Sequence, residues 1–435
     1  MTLQSENRMA GDPPPWFRFA WFLGRPPPLT PRQWQVLGLV SAVSFFEQYD
    51  LYLFSLNLQQ IQTSLHISEG ALAWLGSFVR AGALFAFLVT IAADRLGRRR
   101  VLMLTVLAYT LLTAATALAP SAEAFVVLQF LARIFAVAET LLATVVIVEE
   151  FPAQHRGWGV GAAFAIMACG AGVAALLFGF VNHLPFGWRA LYAVGVLPLS
   201  AIARWRRLMP ETERFQAYTA AHPLRPAWLP QLMVLLTKYR GRFVAISSAN
   251  FLFSFSLGGV GFFQVKYMQN VHEWTPPWIS ALTVGGGALA IIANPLSGKL
   301  GDRFGRRRLL MVFGVFTTIT AVLFYRVSGM WVPLLWILFL FSQFGVDTTL
   351  STYGGEVFPT SLRSTASGAR SFLSTLGSIL GLVVIALLYQ RLGSNWAAVS
   401  ALASIGILVP LIALVTFRET AGRMLEEIAP EADAA

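Results

Sequence analysis

Six ionisable side chains stand where the chain is otherwise apolar: Glu47, Asp50, Arg80, Arg133, Glu139 and Asp347. Each is costly in hydrocarbon, about 2.5–3.5 kcal/mol for Asp or Arg at the centre of a spanning helix, so such groups face protein or water and are candidates for function. Glu47 and Asp50 are i, i+3 neighbours, one turn apart on nearly one helical face. At ~1.5 Å of rise per residue, Asp50, Arg80 and Arg133 each fall ~14–17 Å from the outer end of their apolar run, near one depth. Desolvation and a nearby guanidinium act on a carboxyl in opposite directions, so it can take up and release a proton as its surroundings open and close. A guanidinium at the same depth can hold a carboxylate through its bidentate fork. The histidines His66, His155, His183, His222 and His272 all fall in loops, and the single Cys169 lies in an apolar run, so no metal site, histidine relay or internal disulfide is expected. No phosphate-binding glycine loop, zinc-protease motif or nucleophile motif is present. Neither an enzyme, nor direct ATP drive, nor a cofactor is indicated.

These charges must be held by helices. Of 435 residues, 56% are hydrophobic and 12% charged, against about 25% charged in soluble domains. Apolar runs of spanning length predict twelve helices near residues 34–60, 71–92, 101–119, 122–148, 158–182, 188–206, 243–268, 277–298, 309–326, 331–355, 366–389 and 394–417. The net charge of +11 is not a nucleic-acid footprint, because the basic residues sit in short loops between the runs. Nearly all lie on one side; the opposite loops hold only Arg189, Lys266, Arg326 and Arg391. That asymmetry predicts a multi-pass protein of the plasma or bacterial inner membrane with both termini cytoplasmic. The expected divisions are a tail over 1–33, a six-helix bundle over 34–206, a central cytoplasmic loop over 207–242, a second six-helix bundle over 243–417 and a tail over 418–435. The first tail has no apolar core followed by a cleavage site, so it is read as a mobile cytoplasmic segment in preference to a signal peptide or a lipid anchor.

The two bundles are related by sequence. Asp94-Arg95-Leu96-Gly97-Arg98-Arg99-Arg100 recurs as Asp302-Arg303-Phe304-Gly305-Arg306-Arg307-Arg308, an offset of 208. Glu149-x-Phe151-Pro152-x-x-x-Arg156 recurs as Glu356-x-Phe358-Pro359-x-x-x-Arg363, and Glu211-Thr212 as Glu419-Thr420. Markers in one order at one spacing, each on the same side, describe a parallel repeat, the arrangement that puts a substrate site near the midplane between halves.

The second copy, Gly298-Lys299-Leu300-Gly301-Asp302-Arg303-Phe304-Gly305-Arg306-Arg307, resembles the signature loop of the major facilitator superfamily; the first departs from it at Thr90. Pro210-Glu211-Thr212-Glu213-Arg214 and the stretch from Arg418 to Ile428 resemble the sugar-porter branch and its metabolite–proton symporter relatives. Glu47-Gln48-Tyr49-Asp50 resembles, in part, the first-helix signature of aromatic-acid–proton symporters. The resemblance implies an all-α fold of two six-helix halves whose helices 1, 4, 7 and 10 line a cavity. It then sets Asp50 and Arg133 across from each other, with Asp50 the proton acceptor or, alternatively, half of a structural ion pair.

Proton coupling is accordingly expected at Asp50 and Glu47, with Glu139 and Asp347 either a second proton station or supports for the inner gate. Substrate contacts are expected from Arg133, Tyr49 and Arg80, the last also readable as a packing partner of Asp50 or Glu47. Asp94, Arg95, Gly97, Arg98, Glu149, Arg156, Glu211, Arg214, Asp302, Arg303, Gly305, Arg306, Glu356, Arg363 and Glu419 form a charge network expected to close the cytoplasmic side, acids at helix ends facing neighbouring arginines. The expected activity is proton symport of a small organic or aromatic acid by a monomer in the bilayer, with uptake ahead of efflux. Sugar or polyol symport, export and a sensor role are the alternatives; the seventh run lacks the glutamines of sugar porters.

Overall fold

The computed structural model describes residues 12–86, 88–90, 98–152, 155–206, 228–359 and 362–421, and among them every regular element is helical. The long helices follow the apolar runs: α1 Pro31–Leu56, α2 Leu72–Ala81, α3 Arg98–Ala117, α4 Ala122–Glu150, α5 Arg156–Phe178, α6 Trp188–Arg206, α7 Arg240–His272, α8 Pro276–Phe304, α9 Arg306–Phe324, α10 Trp331–Glu356 and α11 Arg363–Leu392. The twelfth, α12, runs over Asn395–Ala403, tightens through a 3-10 turn at Ser404–Ile407 and resumes over Leu408–Thr416. Nine stretches among the described residues are long and apolar enough to cross a membrane. α1 falls outside that set, because Glu47-Gln48-Tyr49-Asp50 interrupts its apolar run.

Local chemistry sets the helix starts. Thr30 and Gln33 form a reciprocal capping box around Pro31 at the head of α1. The same turn is tied to the end of α4: Arg32 donates two bonds to the Glu150 carboxylate, at 2.9 and 3.0 Å, and Gln33 Nε2 donates to the Glu150 carbonyl. Ser121 caps α4 by accepting from the Ala124 amide.

The chain divides into two compact units. One comprises Met1–Ile61 with Gly82–Arg225, and there α1 packs on α5 and α6 while α3 packs on α4 and α6. The other comprises Gln62–Ala81 with Pro226–Ala435, and there α7 packs on α11 and α12, α9 on α10, α8 on α10, and α2 on α11. α7 and α11 approach backbone to backbone. A Cβ at Gly377 or Gly381 would collide with the carbonyl oxygens of Phe251 and Phe255, and the Ser254 and Ser374 hydroxyls bond one turn away.

Two expectations from the sequence are corrected. The N-terminal segment is not mobile throughout: Pro15–Leu23 forms a 3-10 helix whose Phe17 and Ala20 are buried. The cause is an edge-to-face aromatic cluster, Trp16, Phe17 and Trp34, extended by Trp158 of α5. The central loop expected over 207–242 contains a further helix, Trp228–Thr237, formed by an apolar stretch too short to span a membrane.

Candidate functional site

In the first unit, α1, α3 and α4 bring two carboxyl groups to face one guanidinium, with a third carboxyl beside Glu47. α1 supplies Glu47 and Asp50, both buried, and α4 supplies Arg133 and the buried Glu139. Arg133 is the cation facing both Glu47 and Asp50. No direct ion pair among the described residues joins it to either. The carboxyls are instead met by hydroxyls: Thr140 donates to Glu47, and Thr105 donates to Glu139 at 2.7 Å. Tyr109 and Thr113 of α3 border Asp50, and the Tyr109 hydroxyl donates to the Phe46 carbonyl at 3.2 Å. Asp50 Oδ1 and Arg133 Nε are buried without a hydrogen-bond partner among the described residues. An unpaired acceptor and an unpaired donor in a low-dielectric setting are costly to the protein and available to a solute or a proton. Tyr49 is differently employed: its hydroxyl donates to the Leu191 carbonyl of α6 at 2.8 Å, a strut between helices.

In the second unit, Arg80 of α2 donates to the Gly258 carbonyl at 2.9 Å and to Ser378 Oγ at 3.2 Å, and its guanidinium lies over the Phe262 ring. These partners belong to α7 and α11, so Arg80 is built into this unit. Asp347 of α10 faces Arg370 of α11, whose Nη1 donates to Ser351 Oγ at 3.4 Å. Glu139 and Asp347, given one shared expectation as a second proton station or gate support, sit in unlike surroundings, one beside the Thr105 hydroxyl and Glu47 and the other opposite an arginine.

The arginine-rich end of the second unit is a network. Arg306 Nη2 lies 2.7 Å from Glu356 Oε1, and Thr420 Oγ1 donates to Glu356 Oε2 at 2.8 Å. Glu419 Oε1 accepts from the amide of Arg306 at 2.7 Å and from those of Thr420 and Ala421. Gly305, at φ +98°, has no side chain to cap α9, and Glu419 supplies the missing cap across the bundle, where the helix dipole favours an anion. Any Cβ at Gly305 would collide with that carboxylate. Arg363 donates to the Phe358 carbonyl at 3.1 Å, and Arg303 is exposed. The network joins α9, α10 and the segment after α12 within one unit. Asp94, Arg95, Gly97, Glu211 and Arg214 lie outside the described residues, as do the side chains of Arg98, Glu149, Arg156 and Asp302.

The Major Facilitator Superfamily matches residues 40–286 and 246–432. The chain belongs to this superfamily. Like its relatives, this facilitator is a multi-pass membrane transporter and not an enzyme. It is 26% identical over 371 residues to the cis,cis-muconate transport protein of Acinetobacter baylyi, covering 82% of this chain and 87% of that protein. It is 25% identical over 408 residues to the gallate transporter of Pseudomonas putida, covering 83% and 87%. The niacin transporter of Acinetobacter baylyi is 24% identical over 370 residues, covering 77% and 82%. The fold is similar to that of the D-xylose-proton symporter, with a TM-score of 0.73 at 16% identity over 89% of this chain and 99% of that one.

Several residues of the facilitator's charged centres escaped the sequence. Lys266 was counted among the loop charges, yet it lies within a helix, and Arg370 was given no role. Thr105, Tyr109, Thr113 and Thr140 carried no signal, since hydroxyl residues are common in apolar helices. Glu150 was passed over for its neighbour Glu149.

Proposed function

We propose that this facilitator moves a small organic or aromatic acid in symport with a proton, by alternating access between two six-helix halves. The observation that carries this reading is the pair of Glu47 and Asp50 facing Arg133, with Asp50 Oδ1 and Arg133 Nε buried and unpartnered among the described residues. Arg133 attracts the substrate carboxylate and, facing Asp50, also the Asp50 carboxylate. Proton uptake at Asp50 frees Arg133 for the anion, so both travel together and the net charge of the site is the same loaded and empty. The relatives' names, muconate, gallate and niacin, are those of small organic acids and support the same class.

The halves run over 34–206 and 243–417, with termini and arginine-rich loops on the cytoplasmic side. There the Arg306–Glu356–Thr420 and Arg306–Glu419 contacts stiffen one half's closing edge, and Asp94, Asp302, Glu149 and Arg156 complete the inner gate. Exposed pairs are worth about 0–1 kcal/mol each, and a network at a helix end exceeds that. A change of ~1.4 kcal/mol shifts an inward-to-outward ratio about tenfold.

Proteoliposomes challenged with aromatic acids, aliphatic diacids and sugars, with and without an inward proton gradient, test the proposal. Saturable uptake of an acid, stimulated by the gradient and absent for sugars, is expected. Gradient-driven uptake of a neutral solute in place of acids overturns it.

A further inference from the structure

We propose that the N-terminal 3-10 helix and the groove behind it bind an anionic phospholipid of the surrounding bilayer. Pro15–Leu23 is pinned from one side only. Phe17 and Ala20 are buried in the aromatic cluster with Trp34 and Trp158, and this fixes the helix beside α1 and α5. Other side chains are left bare: Phe19, which also borders the groove, is 86% exposed and Trp21 81%. A rigidly held helix that turns large aromatic side chains outward at the end of a membrane span suits the interface, where amphipathic rings collect.

Behind the helix lies a cavity of about 320 Å³. Trp16 and Phe22 wall it from the helix side, and Ala42 and Phe45 of α1 with Ile166 and Cys169 of α5 wall it from the spanning bundle. The lining is almost wholly apolar, so it suits an acyl chain and offers nothing to a carboxylate. In and just after the same helix, Arg18 and Arg25 are exposed and pair with no acid among the described residues, whereas Arg32 is held by Glu150. An apolar slot beside a short helix that carries Arg18, with Arg25 two residues past its end, matches an amphiphile with a chain and a phosphate head. Arginine forms bidentate bonds to phosphate, and each basic residue near the surface enriches anionic lipid about fivefold.

Native mass spectrometry of the full chain released from nanodiscs tests this with phosphatidylglycerol and phosphatidylcholine at equal mole fraction. The chain is expected to retain phosphatidylglycerol through activation that strips phosphatidylcholine. Arg18→Gln with Arg25→Gln should erase that preference while a lipid is still retained. Ala42→Leu, which fills the slot, should lower retention of both lipids. Equal retention of the two lipids by the unaltered chain overturns the proposal. So does retention that neither variant changes, or displacement of the lipid by millimolar benzoate, which would make the cavity a solute route. If Ala42→Leu fails a size-exclusion check of folding, the arginine pair still decides, because Arg18 and Arg25 are exposed.

Discussion

Lys266 Nζ is fully buried and lies 2.7 Å from Glu69 Oε1. Asn395 Nδ2 donates to both the carbonyl and the carboxylate of Glu69 at 3.1 Å, and the Trp396 ring flanks the ammonium. The head of α2 is thus fastened to α7 and α12 through one glutamate. Removing one partner of a buried pair leaves an uncompensated charge, the costlier way to break it. Glu69 keeps 40% of its side chain exposed, so Glu69→Gln should cost about 2 kcal/mol rather than the full penalty of a sealed pair. Lys266→Met should cost less, and the double variant should match Lys266→Met. Thermal unfolding in detergent reads the order; a double variant as unstable as the sum of the singles would contradict it.

Asp50→Asn should abolish gradient-driven accumulation while exchange without a gradient survives in part. The amide keeps the volume and removes the exchangeable proton. Full accumulation by the variant in proteoliposomes would place coupling at Glu47 or elsewhere.

Arg133→Ala should weaken binding of acids about ten- to a hundredfold, the worth of charge-assisted hydrogen bonds. Arg133→Lys should fall between, since a lysine keeps the charge and loses the fork. Equilibrium binding to purified protein measures both. An unchanged affinity would leave Arg133 as a structural partner of Asp50 alone.

Gly305→Ala should destabilise the second unit by about 1–3 kcal/mol, because a Cβ at φ +98° is strained and also meets the Glu419 carboxylate. Glu419→Ala should cost about 1 kcal/mol through the lost cap of α9. The paired variant should be less than additive, since truncating Glu419 relieves the collision but not the backbone strain. Thermal unfolding of the three proteins checks it.

Asp347→Asn should leave Arg370 without its counter-charge and lower stability more than Asp347→Asn with Arg370→Gln does. If the double variant is the less stable of the two, the residues are not acting as a pair.

The sequence exposed what breaks a pattern and hid what depends on rotation. Asp50, Glu47 and Arg133 were legible because charges inside apolar runs are costly enough to need a reason. Gly305, Arg306, Glu356 and Glu419 were legible because the repeat marks them twice, and the structure brings them to one cluster. Thr105, Tyr109, Thr113 and Thr140 were not, since which face of a helix meets a carboxylate follows from packing between α1, α3 and α4. Lys266 was lost at a span end, where one turn separates a topology charge from a buried one. Arg80 stood out correctly as a costly charge, but its partners on α7 and α11 lie far along the chain. The aromatic segment at Pro15–Leu23 gave no helical period to read, because a 3-10 turn places its side chains differently.

The contact of α7 with α11 bears on which relatives can exist. Ser374, Gly377 and Gly381 meet Ser254, Phe251 and Phe255 at matched spacings along two helices. A residue inserted or deleted between 374 and 381 would rotate everything beyond it by about 100°, turning side chains into the carbonyls that glycine now clears. Substitutions on the outer faces leave that ladder intact. Homologous chains should therefore vary freely in letters along these two helices and hardly at all in length, with insertions confined to the loops at either end.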